Sequence, residues 1–245
     1  MSEFTKGDFL TSQVSPRRAT EVLIVLTIMV IAMGGMIRIY DAGESCPDWP
    51  TCFGTLGFDI SEEEQGEWWE ENPDEADSRG SGHRYTSFQI FTEWFHRLLA
   101  GALVGPLVIV NWFLVRREIW NSPRVQGVSS LTFALILWQG AVGWLTVKFD
   151  NENWSVAIHL GSALAFMISL IWLWIEIRRD EGDLPNWINF DPLVGLKWKK
   201  WIGLLSLSTL ITLFSGVYVS TTPGANYGCG VGGVVESWPL CNGRF

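Results

Sequence analysis

Charged side chains are scarce in five long apolar stretches of this 245-residue sequence. Each stretch is long enough to cross a hydrocarbon core as a helix, which needs about 20 residues. No polar face recurs along them with the helical period of about 3.6 residues, which argues against a soluble helical bundle. We therefore predict an all-α membrane bundle with five spans: Glu21–Tyr40, Trp94–Val115, Gly127–Val147, Ser155–Ile177 and Trp201–Ser220.

Lys and Arg are sparse on one side of these spans, and this asymmetry predicts the orientation. A cleavable signal peptide is not expected, because the first apolar run is too long. A transit peptide is not expected either, because Glu3 and Asp8 break the acid-poor pattern. We expect a multi-pass protein of a prokaryotic plasma membrane, in contact with the lipid bilayer, with its amino terminus in the cytoplasm and its carboxyl terminus outside. The basic residues on the cytoplasmic side are Lys6, Arg17, Arg18, Arg116, Arg117, Arg124, Arg178, Arg179, Lys197, Lys199 and Lys200.

Basic residues are also too few for a nucleic-acid-binding protein, since the formal net charge is −9. Much of the negative charge lies in the first external loop, between Asp59 and Asp77. Such a run is typical of a solvated, partly disordered insert. We expect no nucleic-acid partner.

The first and fifth spans end in similar sequences. GGMIRIYDAGESCPDWPTCFG (34–54) and SGVYVSTTPGANYGCGVGGVVESWPLCNG (215–243) share the pattern W-P-x-C-x-G. The simplest interpretation is a duplicated four-helix unit, as in other membrane folds built from repeats. The second copy would stop after its first helix and loop, so we expect an incomplete product or a chain completed by another.

This interpretation divides the chain into four segments. They are a cytoplasmic segment (1–20), a four-helix repeat (21–177) with an acidic external loop (41–92), a cytoplasmic connection (178–200) and the beginning of a second repeat (201–245).

Cysteine is rare, and no C-x-x-C motif occurs. All four cysteines lie in the two external loops: Cys46, Cys52, Cys229 and Cys241. An oxidising exterior favours disulfides, and the repeat gives each loop its own pair. The pairs are interpreted as staples that stiffen the loops or as redox-active pairs. A zinc site is disfavoured because no histidine lies near either pair.

Only three histidines occur in the sequence. His83 lies in the polar loop, where we expect it to be solvated. His96 and His159 lie about one turn into the second and fourth spans, which cross the membrane in the same direction. Both imidazoles are therefore expected at the same shallow depth, as two axial ligands of a heme iron held between parallel helices. The alternatives are polar residues that bond neighbouring helices, and a zinc site, which would need further ligands.

Four other polar residues are expected near this site. Glu93 precedes His96 by three residues and so shares its helical face. An intramembrane carboxylate is expensive unless it is used or paired. Arg97 points about a quarter-turn away, where we expect it to meet a heme propionate. Gln139 and Thr146 are expected to form hydrogen bonds between helices.

Four strings of this sequence together resemble the heme A synthase family. They are EWFHRLLAG (93–101), GGMIRIYDAGESCPDWPTCFG (34–54), WQGAVGWLTV (138–147) and VAIHLGSAL (156–164). The resemblance covers nearly the whole chain except the acidic insert and the first twenty residues.

The resemblance implies an enzyme that oxidises the C8 methyl of heme O to a formyl group, giving heme A for terminal oxidases. It implies eight helices in two four-helix halves, each with a heme held by two histidines. His96 and His159 would then hold the substrate heme, and Glu93 would be the carboxylate needed for the oxidation. The two cysteine pairs of the family match Cys46 with Cys52, and Cys229 with Cys241.

The sequence departs from the family in its second half, which lacks the two further histidines that hold heme b. Two protein partners stay open, a heme O-forming enzyme and a second copy of the chain. Two other functions also stay open. A b-type membrane cytochrome would use the histidines but not Glu93, and a membrane thiol oxidoreductase would use the loop cysteines.

Overall fold

The computed structural model describes residues 15–188 and 192–221, and helices dominate this part of the chain. Five spans are long and apolar enough to cross a membrane, which confirms the predicted all-α membrane bundle. The helices are α1 Pro16–Ile39, α2 Glu62–Glu71, α3 Ser87–Leu98, α4 Gly105–Glu118, α5 Pro123–Lys148, α6 Asn153–Asp180 and α7 Pro192–Thr221. The second span consists of α3, a π-helical turn and α4.

The helices begin before the apolar runs that were used to predict them, because their first turns consist of polar residues. α1 begins at Pro16, five residues before the predicted Glu21, with Ser15 as its N-cap. The Ser15 hydroxyl accepts a hydrogen bond from the Arg18 backbone N–H. Proline suits the first position because its missing N–H would have no partner there. α5 likewise begins with a proline, Pro123.

The first four spans form a ring. α1 packs against the second span and α6, and α5 packs against the same two elements. The second span and α6, which carry the two intramembrane histidines, therefore lie on a diagonal of the bundle. α7 packs against α6 and leaves most of its side chains exposed.

The centre of the bundle is largely apolar, and a buried hydrogen bond joins two of its helices. Leu23, Val104, Phe166 and Leu170 belong to the central cluster of buried side chains. Beside them, Asn111 of α4 donates its amide N–H to the Thr20 hydroxyl of α1 over 3.0 Å. Such a bond fixes the register of the two helices, which have no hydrophobic drive to associate within a lipid bilayer.

A π-helical turn, Leu99–Val104, interrupts the second span shortly after His96. The Gly105 N–H bonds to the Ala100 carbonyl, five residues earlier. Pro106 follows and has no N–H to offer, and its ring would crowd the preceding turn of a regular α-helix. The wider turn accommodates this proline without ending the span.

The acidic insert is folded, so the expectation of a partly disordered loop was wrong. Its helix α2 begins with a capping box between Ser61 and Glu64. One side of α2 is buried, and Trp69 is 2% exposed in a cluster with Phe53 and the two cysteines Cys46 and Cys52. Burial of these large aromatic side chains stabilises α2 against the rest of the loop, while its acidic face stays in contact with solvent.

A polar cluster ties the end of the insert to the bundle. The Tyr85 hydroxyl donates to the buried Asp77 carboxylate, and Arg79 pairs with Asp41 over 2.7 Å. Burial and Asp77 raise the pKa of the Tyr85 hydroxyl above its ordinary value. His83 was expected to be solvated, but its Nε2 lies 3.2 Å from Arg79 Nη1 and its ring contacts Tyr85.

The duplicated unit and the four-segment division remain predictions. The first half of the predicted repeat corresponds to the ring of four spans, and α7 follows beside it. The segments 1–14 and 222–245, which hold most of the predicted amino-terminal segment and the second cysteine loop, lie outside the described residues.

Candidate functional site

His96 lies on α3, whose start is fixed by a capping box between Thr86 and Gln89. Its imidazole rests against Gly34 of α1, so that a Cβ built at Gly34 would lie 3.4 Å from Cε1 of the ring. The Nδ1 atom is buried on the side of the ring that faces Gly34, and it makes no geometrically good hydrogen bond within the described residues. That His96 binds a ligand remains a prediction.

His159 lies on α6 and rests against a glycine in the same way. A Cβ built at Gly143 of α5 would lie 3.2 Å from Cε1 of its imidazole. The amide nitrogen of Gln139, one turn earlier on α5, lies 3.1 Å from Nδ1 of the ring and donates to the His159 carbonyl over 3.1 Å. Ser162 donates its hydroxyl proton to the Gln139 amide oxygen.

The two imidazoles come from diagonal elements of the bundle. Each histidine lies near the start of its span, on the side of the bundle that holds the loops 40–86 and 149–152, as expected from the direction of the two helices. Their joint ligation of an iron remains a prediction.

The two histidines offer the kind of protein ligand that a heme iron takes. Glycines at 34 and 143 leave room for the two imidazoles, one from each diagonal element of the bundle. In the described part of the chain, no group of three or more His, Cys, Asp and Glu side chains is placed to hold a metal ion. The residues present therefore match a porphyrin that brings its own four nitrogen ligands better than they match zinc, which takes four from protein.

Glu93 is buried three residues before His96. Its carboxylate Oε1 accepts a hydrogen bond from Arg97 Nε over 2.9 Å. The side chains of Glu93 and Arg97 are 10% and 12% exposed, so the pair is shielded from solvent. The ion pair accounts for the cost of burying the carboxylate while leaving it beside the ligand residue.

Arg97 makes its other contacts with the loop between α1 and α2. Nη1 donates to the carbonyls of Thr51, over 2.9 Å, and of Asp48, and Nη2 donates to the Cys46 carbonyl over 2.7 Å. Contact between Arg97 and a heme propionate remains a prediction. Sequence analysis missed the loop contacts because backbone carbonyls occur at every residue and carry no sequence signal.

The first cysteine pair is joined. Cys46 and Cys52 form a disulfide across six residues, and both are buried, at 0% and 1% exposure. This agrees with the predicted pairing within one loop. Cys229 and Cys241 lie outside the described residues.

The two polar residues predicted on α5 behave differently. Gln139 forms the expected contact with another helix, and its partner is the candidate ligand His159. Thr146 donates instead to the Val142 carbonyl of its own helix over 2.9 Å, so no interhelical bond is needed to satisfy its hydroxyl. Ser162, which completes the Gln139 contacts, was missed because serine is common in membrane helices.

Comparison with known proteins relates the chain to one family. Residues 17–245 match the family model COX15-CtaA, described as cytochrome oxidase assembly protein. Three curated relatives are each called heme A synthase. The one from Shewanella oneidensis is 28% identical over 226 residues, covering 91% of this chain and 60% of its own length.

The other two relatives have similar coverage. Identity is 30% for the protein of Sphingopyxis alaskensis, over 96% of this chain and 66% of the relative. It is 32% for that of Caulobacter vibrioides, over 91% of this chain and 64% of the relative. The chain thus spans 60 to 66% of the length of these relatives. No solved structure matches it significantly.

Proposed function

We propose, because this chain belongs to the COX15-CtaA family of cytochrome oxidase assembly proteins, that it is a heme A synthase-type membrane oxidoreductase. The proposed reaction oxidises the C8 methyl of heme O to a formyl group, giving heme A for terminal oxidases. With water as the oxygen source it releases four electrons and four protons, and the electrons pass to an external electron acceptor. The observation that carries the proposal is the pair of glycine-backed imidazoles, His96 and His159, with the buried Glu93 carboxylate one turn from His96.

His96 and His159 would hold heme O as substrate by binding its iron. Bound heme O supplies the iron and the methyl carbon that is oxidised. Gln139 supports this role because it contacts Nδ1 of His159, which leaves Nε2 to face the ligand. Partners on the second ring nitrogen commonly fix the orientation of a ligating histidine.

Glu93 would act electrostatically or through water. Oxidation of the methyl carbon removes electrons and develops positive charge there. A carboxylate fixed in a low-dielectric site stabilises such charge far better than one in water. Arg97 keeps this carboxylate at one position through the 2.9 Å contact, and the same carboxylate can orient a water molecule.

The heme b site of the family needs a second pair of histidines. This sequence contains three histidines, and the remaining one, His83, lies in the polar cluster with Arg79. The heme b site of the family is therefore not assigned to residues of this sequence, and a second copy of the chain stays a proposed partner. A heme O-forming enzyme is the expected source of substrate.

The proposed location is the plasma membrane of a prokaryote, with the amino terminus in the cytoplasm. Two observations support it: the relatives are bacterial proteins, and the basic residues concentrate on one side of the spans. The site would then open toward the outer leaflet, beneath the folded acidic insert.

The experiment is to express the chain together with a heme O-forming enzyme and to extract and separate the hemes. Hydroxylated or formylated heme is expected from the unchanged protein. Glu93→Gln should accumulate heme O. The matched control is Glu176→Gln, which removes another buried carboxylate paired with an arginine, Arg179 at 2.6 Å, near the far end of α6. Heme O alone from the unchanged protein would refute oxidation.

The same variants separate the enzyme from the two alternatives. A b-type cytochrome should keep its absorption spectrum and electron transfer after Glu93→Gln. A thiol oxidoreductase should keep disulfide exchange after His96→Ala and lose it after Cys46→Ser. The burial of both Cys46 and Cys52 disfavours exchange, since reactive cysteines are accessible.

A further inference from the structure

We propose that the turn closed by the Cys46–Cys52 disulfide is a seat for Arg97, and that Arg97, held in this seat, positions the Glu93 carboxylate. The inference rests on the proposed function for the role of Glu93. It assigns Arg97 as a positioning residue and gives the disulfide a purpose beyond stiffening the loop.

The contacts of Arg97 all serve this one arrangement. Three carbonyls of the same short turn, those of Cys46, Asp48 and Thr51, accept from its two terminal nitrogens. Nε, the remaining nitrogen, donates to Glu93. A guanidinium offers its donors in a rigid planar fork, so fixing the terminal nitrogens also fixes the direction of Nε.

The turn presents its carbonyls inward because it is tied at several points. The disulfide joins its ends, and the Asp48 carboxylate accepts from the Thr51 hydroxyl and from the Gly54 N–H. Ser45, at its start, donates to the Gln89 carbonyl of α3 over 3.0 Å. The seat is thus attached to the helix that carries both Glu93 and Arg97.

Because Arg97 is largely buried, it needs a negative charge close to its guanidinium. The three carbonyls are neutral, and Glu93 is the one carboxylate that pairs with Arg97 in the described residues. A buried guanidinium without its counter-charge is strongly disfavoured. Glu93 and the turn therefore share one cation, and a change in either should be felt by the other.

This sharing predicts a measurable linkage. If the disulfide organises the seat, then Arg97 must in return favour the disulfide over the two thiols by the same factor. Reduction of the pair by dithiothreitol transfers two electrons and two protons to give the Cys46 and Cys52 thiols, and the reductant becomes its cyclic disulfide. The equilibrium constant of this exchange therefore reports how much the Arg97 contacts stabilise the disulfide relative to the two thiols. It can be measured without heme and without enzyme turnover.

The experiment measures that equilibrium on the full chain in detergent, with Cys229 and Cys241 replaced by Ser. Samples are held at a series of reduced-to-oxidised dithiothreitol ratios until the thiol fraction is constant and are then quenched with acid. Because both cysteines are buried, free thiols are labelled with a polyethylene glycol maleimide after denaturation. Arg97→Gln is expected to shift the equilibrium toward the thiols by about tenfold, the scale of one or two hydrogen bonds to a charged group. Arg97→Lys keeps the charge without the fork and should shift it by less.

The matched control is Arg84→Gln. Arg84 also donates to carbonyls of the external loop, those of Glu62, Ser81 and His83, but it touches neither the disulfide turn nor Glu93. Its replacement should leave the equilibrium within about twofold of the parent, because no contact links it to the seat. Equal shifts for the Arg97 and Arg84 variants would overturn the proposal. If Arg97→Gln does not fold, as judged by size exclusion, Arg97→Lys against Arg84→Lys gives the same comparison.

Glu93→Gln tests whether the seat and the carboxylate are coupled. It should shift the equilibrium in the same direction by about threefold, since Arg97 loses its counter-charge. The double variant Glu93→Gln with Arg97→Gln should shift it no further than Arg97→Gln alone. An unshifted Glu93→Gln variant, or strictly additive shifts, would show that Arg97 only staples the loop. Because no heme is present, these outcomes are independent of whether heme O is oxidised.

Discussion

Gly143 and His159 lie so close that any larger side chain at position 143 would press on the imidazole. A Cβ at position 143 would lie 3.2 Å from Cε1 of the ring, which is tighter than most real contacts of this kind. Gly34 also contacts a histidine, His96, but a Cβ there would lie 3.4 Å from Cε1, an ordinary van der Waals distance. Both candidate ligands are thus backed by a glycine from the preceding span, and at Gly143 the close approach of the ring explains the small residue.

Gly143→Ala should therefore displace the His159 ring and weaken heme binding. Overpacking of this kind costs about 1–3 kcal/mol. The measurement is a heme titration of the purified apoprotein, followed by the heme absorption band. The control is Gly140→Ala on the same helix, where a Cβ would have no neighbour within 4 Å. Equal affinities for the two variants would contradict the role assigned to Gly143.

Gln139 gives a second prediction at the same ligand. Gln139→Leu removes the contact with Nδ1 of His159, and loss of such a partner typically lowers the affinity for the bound metal by about 10–100-fold. The matched control is Gln126→Leu. Gln126 lies near the start of the same helix, more than three turns from Gln139, and donates to the Val115 and Ile119 carbonyls. Both variants should lower thermal stability, but only Gln139→Leu should lower heme affinity. A heme titration of each variant decides this.

The spans and the candidate ligands were predictable from the sequence because their signals are local. Apolar runs of sufficient length define the helices, and rare histidines inside such runs stand out against their surroundings. The helix ends were less predictable, as the start of α1 at Pro16 shows, because the polar first turns resemble loops.

The arrangement around Arg97 and the fold of the acidic insert were not predictable, because both depend on contacts between distant residues. Arg97 is held by carbonyls some fifty positions earlier in the chain, and any residue type could supply them. In the insert, acidic composition favoured disorder, yet Trp69 is buried in a cluster with Phe53. Composition does not reveal where two aromatic side chains meet.

The buried bond between Tyr85 and Asp77 should stabilise the insert. Tyr85→Phe leaves a buried carboxylate without its phenolic donor, which costs about 1–3 kcal/mol. The local readout is amide hydrogen exchange of α2, which should become faster. Tyr40→Phe is the control, because Tyr40 is 49% exposed. Unchanged exchange in the Tyr85 variant would show that the insert is held by its apolar contacts alone.

Glu44 predicts a pH-dependent stability of the region between α1 and α3. Its side chain is 12% exposed, and burial raises the pKa of its carboxyl, an effect that Asp77 and Asp150 reinforce and that Ser78 and Arg79 oppose. A raised folded-state pKa means that the stabilising contribution of this group is present at low pH and is lost as the pH rises through the folded-state pKa. Glu44→Gln keeps a neutral side chain at every pH.

The expected result is that Glu44→Gln and the unchanged protein melt at similar temperatures near pH 4, and that the variant becomes the more stable one as the pH approaches 7. Intrinsic tryptophan fluorescence of the protein in detergent follows the melting. The control Glu75→Gln replaces an exposed carboxylate of the same loop and should show no such divergence, because solvent already stabilises its charge. A constant difference between the Glu44 variant and the unchanged protein across this pH range would mean that Glu44 is ionised in the folded state at no cost.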